Sequence, residues 1–269
     1  MPDGCGWPAA VEAYVTFLRS GGVSPGTVRL RRHYLGLFAR RVGAGPWQVG
    51  PDELAGFLAE PGWAPETRKS ARSTLRGFYA WAEDTGRVDR DPARRLPAVR
   101  VPAGLPRPAP EQVVIATVTL ADPRTALMVR LGALAGLRCG EIARVHTRDV
   151  TVEGLRVTGK GGRTRVVPLA DALRRELLDR PAGWVFPGLI DGHLSPGHVS
   201  KLLERALPDG WTAHTLRHRF ASRAYAGTRD LRAVQTLLGH SKPETTARYT
   251  LVPEDSLSAA VAAAAFGAA

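Results

Sequence analysis

Six prolines fall between Asp91 and Pro110, at positions 92, 97, 102, 106, 108 and 110. Proline fixes φ and removes a backbone donor, so a segment this rich in it excludes helix and favours an extended chain. A chain of 269 residues interrupted there is expected to build one core on each side of the break. The expected division is a first domain over 1–97, a linker over 98–107 and a second domain over 108–269. Arg94, Arg95, Arg100 and Arg107 make the segment basic as well as stiff, which suits a strap that follows a polyanionic backbone.

Charge is spread over both halves. Through Arg107 there are 16 basic and 10 acidic residues, and after it 21 and 15, so each half carries +6 of the formal +12. A single basic tail implies a tether, whereas charge on both sides of a linker implies a protein that encircles its anion. A solvated basic surface is the plainer alternative. No apolar run approaches the roughly 20 residues that span a bilayer, and the first residues lack a basic-then-apolar leader. Two cysteines, Cys5 and Cys139, make no disulfide framework, so a cytoplasmic location is expected.

Hydrophobic periodicity gives a mainly α chain. Helices are expected over 8–20, from Pro25 to about Val42, over 51–58 and from Pro65 to Thr85, with Ser24 capping the second. The fourth carries Leu75, Phe78, Tyr79 and Ala82 on one face. It also carries Arg68, Arg72 and Arg76 at i, i+4, i+8, beside Lys69. Repeated like charge along a helix is unfavourable unless phosphates lie along it, although a solvated face remains open. Beyond the linker, helices are expected from Glu111, over 124–137, 170–178, 197–206, 213–226 and 231–237. Residues 147–169 change to period two, with Glu153-Gly154 and Lys160-Gly161-Gly162 as turns, which reads as a small antiparallel sheet of two or three strands.

Five short motifs carry chemistry: Gly136-Leu137-Arg138-Cys139-Gly140-Glu141, Gly159-Lys160-Gly161-Gly162, His214-Thr215-Leu216-Arg217-His218, Leu238-Gly239-His240 and Ala247-Arg248-Tyr249-Thr250. His214 and His218 stand at a spacing that zinc can use, but Thr215 occupies the place of the zincin glutamate and Arg217 lies between the imidazoles, so no metal is expected. Gly154 to Lys160 nearly spells a phosphate-binding loop, but Gly161 follows the lysine and a strand follows that, so the match is false. A lysine at a glycine-rich hairpin tip is instead placed to reach a phosphodiester, a solvated turn lysine being the alternative.

In this order and spacing the motifs resemble the tyrosine recombinases, the phage integrases and Xer-type resolvases, over roughly 8–266 and most strongly over 110–250. The resemblance implies an N-terminal helical, SAM-like core-binding domain and a C-terminal mixed domain with a small antiparallel sheet. It implies that Tyr249 attacks a phosphodiester, that His214 takes the phenolic proton and that Lys160 protonates the leaving 5′ oxygen. Arg138, Arg217 and His240 hold the phosphate, and Glu141 orients Arg138 or a neighbouring histidine. Arg68, Lys69, Arg72, Arg76, Arg94, Arg95 and Arg100 are the expected contacts to the DNA backbone. His218 is expected to be structural.

The implied product is a 3′-phosphotyrosyl link, which conserves bond energy, so neither cofactor nor metal is implied. The implied partners are duplex DNA sites and three further copies of the chain on paired sites, with a monomer or weak oligomer away from DNA and no membrane. An Ala-rich tail helix over 254–266 would pack on a neighbour, or fray. Because the chain begins almost directly with the core-binding domain, it suits either an Xer-like resolvase or a minimal integrase; its Arg-rich divergence and unusual N-terminus favour the minimal integrase, with the Xer-like resolvase as the alternative. A non-catalytic DNA-binding regulator and a type IB topoisomerase are weaker rivals, since each expected catalytic residue is present with recombinase-like spacing.

Overall fold

The computed structural model describes residues 6–102, 104, 106–159 and 162–239. Lys160, His240, Tyr249 and the expected tail helix over 254–266 lie outside the described residues. The chain divides into two units, Met1–Ala103 and Gly104–Ala269. It is mainly helical, with one small sheet.

The first unit holds α1 (Trp7–Ser20), α2 (Pro25–Ala39), α3 (Pro51–Leu58) and α4 (Pro65–Asp84). Each has proline in its first turn, where the missing N–H has no intrahelical partner to lose. The Ser24 hydroxyl caps α2 by accepting the Thr27 N–H. The buried faces meet in a core of rings. Phe78 lies against Trp7, Tyr14, Trp47 and Trp81 with centroids 5.4 to 5.8 Å apart. The polar ends of buried rings find carbonyls: the Tyr79 hydroxyl donates to Pro46 O at 3.1 Å, and Trp7 Nε1 to Ala44 O at 3.0 Å.

One expectation changes here. The proline-dense segment begins packed rather than extended, because Ala93 and Leu96 are buried in the first core and the Asp91 carboxylate turns the chain by accepting the Ala93 N–H. The basic stripe on α4 is split. Arg68 donates to Leu58 O at 2.7 Å and Glu60 O at 3.2 Å, and Arg72 donates through two nitrogens to Leu96 O at 3.3 and 2.7 Å. Half-buried guanidiniums satisfy donors locally, so Arg68 and Arg72 brace neighbouring backbone through these nitrogens. Lys69, Arg76, Arg94, Arg95 and Arg100 are exposed.

The second unit holds α5 (Glu111–Leu120), α6 (Pro123–Ala135), α7 (Cys139–Ile142), β1 (Leu155–Thr158), β2 (Thr164–Val167), α8 (Asp171–Leu178), α9 (Pro196–Ala206), α10 (Ala213–Thr228) and α11 (Leu231–Leu238). Helix α6 is its centre, with Leu127, Met128, Val129, Leu131, Ala133 and Ala135 all buried. It packs against α5 and α10. Gly132 permits the close approach of α10, since a Cβ there would sit 3.2 Å from Leu216 Cδ1. The strands pair antiparallel, from Leu155 opposite Val167 to Thr158 opposite Thr164. Residues Thr147–Asp149 form a 3-10 turn, and Val152 is exposed, so the period-two stretch yields two strands among the described residues. Arg107 belongs to this unit: its N–H donates to His218 Nδ1 at 3.0 Å and its guanidinium lies 4.5 Å from the Trp211 ring centroid.

Candidate active site

Helix α6 ends where Gly136 takes a left-handed φ of 65°. A Cβ at this position would lie 2.4 Å from Phe220 Cδ1, so glycine is required both by the turn and by the packing of α10. Two residues later Arg138 is extended and caps α7. Glu141, at the third position of that helix, accepts the Arg138 backbone N–H at 2.9 Å. The local sequence Arg-Cys-Gly-Glu thus folds back on itself and fixes the carboxylate beneath the arginine.

Glu141 is then the hub of a cation cluster. Arg165, on β2, places Nη1 on Oε1 and Nη2 on Oε2, both at 2.9 Å, a parallel fork on one carboxylate. Arg138 Nη1 reaches Oε1 at 3.1 Å, and Arg217 Nη1, from α10, lies 3.7 Å from Oε2. Burial alone would push the Glu141 carboxyl up. The hydrogen bond from Arg165, the Arg138 N–H and the charges of Arg165 and Arg217 overcome this and hold it below the usual glutamate range. One carboxylate among three guanidiniums leaves the cluster net positive.

The same arginines grip the end of α11. Asp230 caps its start by accepting the N–H groups of Arg232 and Ala233. At its other end Arg165 Nε donates to Leu237 O at 2.7 Å, and Leu238 O accepts from Arg217 Nη2 at 2.6 Å and from Arg138 Nη1 at 3.3 Å. Cations on the carbonyls of a helix C-terminus are favoured by its dipole. Gly239 then turns left-handed at φ 61°, directly before His240 in the chain.

Arg138 and Arg217 differ in access. The Arg138 side chain is 44% exposed, so part of its fork faces solvent, whereas Arg217 is 2% exposed and also donates to Gly136 O. His214 sits exposed in the first turn of α10, its ring 4.2 Å from that of His218. His218 Nδ1 accepts the Arg107 N–H, which ties His218 to the segment entering the unit. Burial pushes the Cys139 thiol up, although the Ser200 side chain and its own backbone oppose this, so no reactive thiolate is favoured within the motif.

Of the six residues expected to be catalytic, Arg138 and Arg217 are brought to one carboxylate and one carbonyl, with Glu141 between them. His214 stands on the same helix as Arg217. Arg165 was not foreseen. Its one sequence signal is an arginine at alternate spacing in Arg163-Thr164-Arg165-Val166-Val167, where the neighbours read as a strand and an inward arginine needs a buried acid.

Two helical units, the second with a β-hairpin and a positively charged cluster at a helix end, define a protein built to hold an anionic backbone. The chain belongs to the phage integrase family of tyrosine recombinases, DNA strand-transfer enzymes, whose family pattern matches residues 111–255. It is similar to the tyrosine recombinase XerC of Mesorhizobium japonicum, 32% identical with 90% of each chain covered. It is 33% identical to XerC of a Methylobacterium species, covering 98% of this chain and 95% of that one. XerD of Caulobacter vibrioides is 34% identical, covering 74% of this chain and 75% of its own. Among solved structures the fold is shared with the XerH site-specific recombinase bound to difH substrate, TM-score 0.72 at 19% identity, covering 98% and 86%. It is shared also with a lambda integrase tetramer bound to a Holliday junction, TM-score 0.70 at 22% identity, covering 87% and 77%. Among the described residues no helix is long and apolar enough to cross a membrane.

Proposed function

We propose that this chain performs site-specific recombination by the phenol-phosphate route, with Tyr249 as nucleophile. The Tyr249 oxygen bonds to phosphorus as the P–O5′ bond breaks. His214 takes the phenolic proton, and Lys160 delivers one to the departing 5′ oxygen. Arg138, Arg217 and His240 bind the non-bridging oxygens, where negative charge develops. The free 5′ hydroxyl of a partner strand reverses the step, so two rounds pass through a Holliday junction without a cofactor. The observation that carries this reading is the convergence of Arg138 and Arg217, far apart in sequence, on the Leu238 carbonyl just before His240.

Phosphate contacts fall to Arg68, Lys69, Arg72, Arg76, Arg94, Arg95 and Arg100, with the working complex a tetramer on paired duplex sites in the cytoplasm. The domain scheme of 1–97, linker 98–107 and 108–269 is retained as part of this reading. The first reading is an integrase joining two different sites. The Xer-like alternative is favoured by relatives at 32 to 34% identity that carry XerC and XerD names.

The test is to incubate the protein with a library of nicked duplexes of randomised sequence and recover denaturant-resistant adducts. Adducts are expected from wild type and none from Tyr249→Phe; equal yields from both sink the enzyme reading. Recovered sites, paired as two copies on one circle or as two different partners, then separate the Xer-like from the integrase role.

A further inference from the structure

We propose that Arg165 is a positioning residue of the strand-transfer site: its one guanidinium holds Glu141 and the last turn of α11 together, and so sets where Arg138 and Arg217 stand. This rests on the recombinase reading of those two arginines. Arg165 is only 10% exposed, too enclosed to serve as a general DNA contact. Three of its N–H groups are directed to three oxygens on two elements, Glu141 Oε1 and Oε2 and Leu237 O. The planar fork fixes the plane of the carboxylate, which in turn receives the Arg138 backbone and side chain. Holding Leu237 O also places its neighbour Leu238 O, the acceptor shared by Arg138 and Arg217. Arg165 is thus joined to both phosphate-binding arginines by two independent routes, the carboxylate and the helix end. A lysine has three donors but all on one nitrogen, so it cannot reproduce the planar two-point grip on the carboxylate together with the reach to Leu237 O.

The ionisation of Glu141 depends on the same residue. Its charged neighbours among the described residues are Arg138 ahead of α7, Arg165 on β2 and Arg217 on α10. Burial favours the neutral carboxyl, and Arg165 is the leading opposing influence. Without Arg165 the balance moves toward a neutral Glu141, more so as pH falls, and a neutral carboxyl holds Arg138 weakly.

The experiment measures single-turnover adduct formation on a nicked duplex recovered from the library, across a range of pH, with DNA affinity and thermal melting recorded separately. Arg165→Gln is expected to bind DNA as wild type does, to form adduct about 10²-fold more slowly, as expected for a displaced catalytic group, and to lose further rate as pH falls. Arg165→Lys is expected to melt cooperatively, to keep the wild-type pH profile and to fall between the two in rate. Wild-type rates in Arg165→Gln overturn the proposal. So does a loss of adduct matched by an equal loss of DNA affinity. If Arg165→Gln does not fold, Arg165→Lys decides: a rate equal to wild type, or a pH profile steeper than wild type, overturns the proposal. Failure of wild type itself to form a Tyr249-dependent adduct is a different result, and defeats the recombinase reading instead.

Discussion

The two units solve burial in opposite ways. The first encloses rings, with Trp7, Tyr14, Phe38, Phe78, Tyr79 and Trp81 in contact and Asp91 as its one buried charged residue among those described. The second has a mostly aliphatic core and encloses Glu141, Arg217 and Arg219 as well. Rings stabilise through area and edge-to-face contact, which tolerates DNA binding on the outer surface. Buried ions stabilise weakly after desolvation, so stability alone does not explain the place of Glu141 and Arg217; the proposed function does, through the arginines they hold in position.

The sharpest way to break this contrast is to remove one key group from each core. Glu141→Ala leaves Arg165 and Arg217 buried without their carboxylate and should cost about 3–5 kcal/mol in urea denaturation. Phe78→Ala should cost a similar amount, about 3–5 kcal/mol, as a cavity. The two losses differ in how they are repaired. Adding Arg165→Met to Glu141→Ala should restore part of the stability without restoring adduct formation. No charge change elsewhere should repair the Phe78 cavity.

Gly136→Ala comes next, at roughly 2–4 kcal/mol, because it combines a left-handed backbone with a collision against Phe220. Its readout is the melting of the second unit followed by hydrogen exchange, with the first unit unchanged.

Acid should separate the units by sign. The folded Glu141 carboxyl is held below its ordinary 4.5, so the stability it contributes is present above that value and is lost as pH falls below it. The Asp91 carboxyl is raised above its ordinary 3.8 by burial, despite the Ala93 N–H, so its contribution is present at low pH and is lost as pH rises through the raised value. Hydrogen exchange between about pH 3 and 6 should therefore show the second unit opening first on acidification. If both units loosen together, the assignment of the buried charges to separate roles fails.

The smallest effect is expected from Arg76→Ala. Exposed on α4, it should change stability by less than about 0.5 kcal/mol yet lower the salt dependence of DNA binding by about one phosphate contact.

Much of this was legible in the sequence because the determinants are local. Prolines at 25, 51, 65, 123 and 196 mark helix starts, and each stands in a first turn. Arg138, Glu141 and Arg217 could be singled out because each lies within a motif. Arg165 could not, since 33 of the 269 residues are arginine and its acid lies 24 positions away. Nor could the bracing of Leu58, Glu60 and Leu96 carbonyls by Arg68 and Arg72 be read there, since a helical stripe of arginines looks alike whether its forks reach solvent or backbone. Which of the two occurs depends on tertiary neighbours that no spacing rule reports.

The shared acceptor at the end of α11 is a peptide oxygen, and that has a consequence for genetics. Any side chain at position 238 leaves that oxygen in place, so a substitution scan there reads only the apolar fit of Leu238, which is fully buried. The anchor itself is silent to codon changes. An ester in place of the 238–239 peptide link keeps every side chain and weakens the carbonyl as an acceptor, and it would make the anchor visible once compared with an ester control for the Gly239 N–H, which donates to Thr236 O at 3.0 Å.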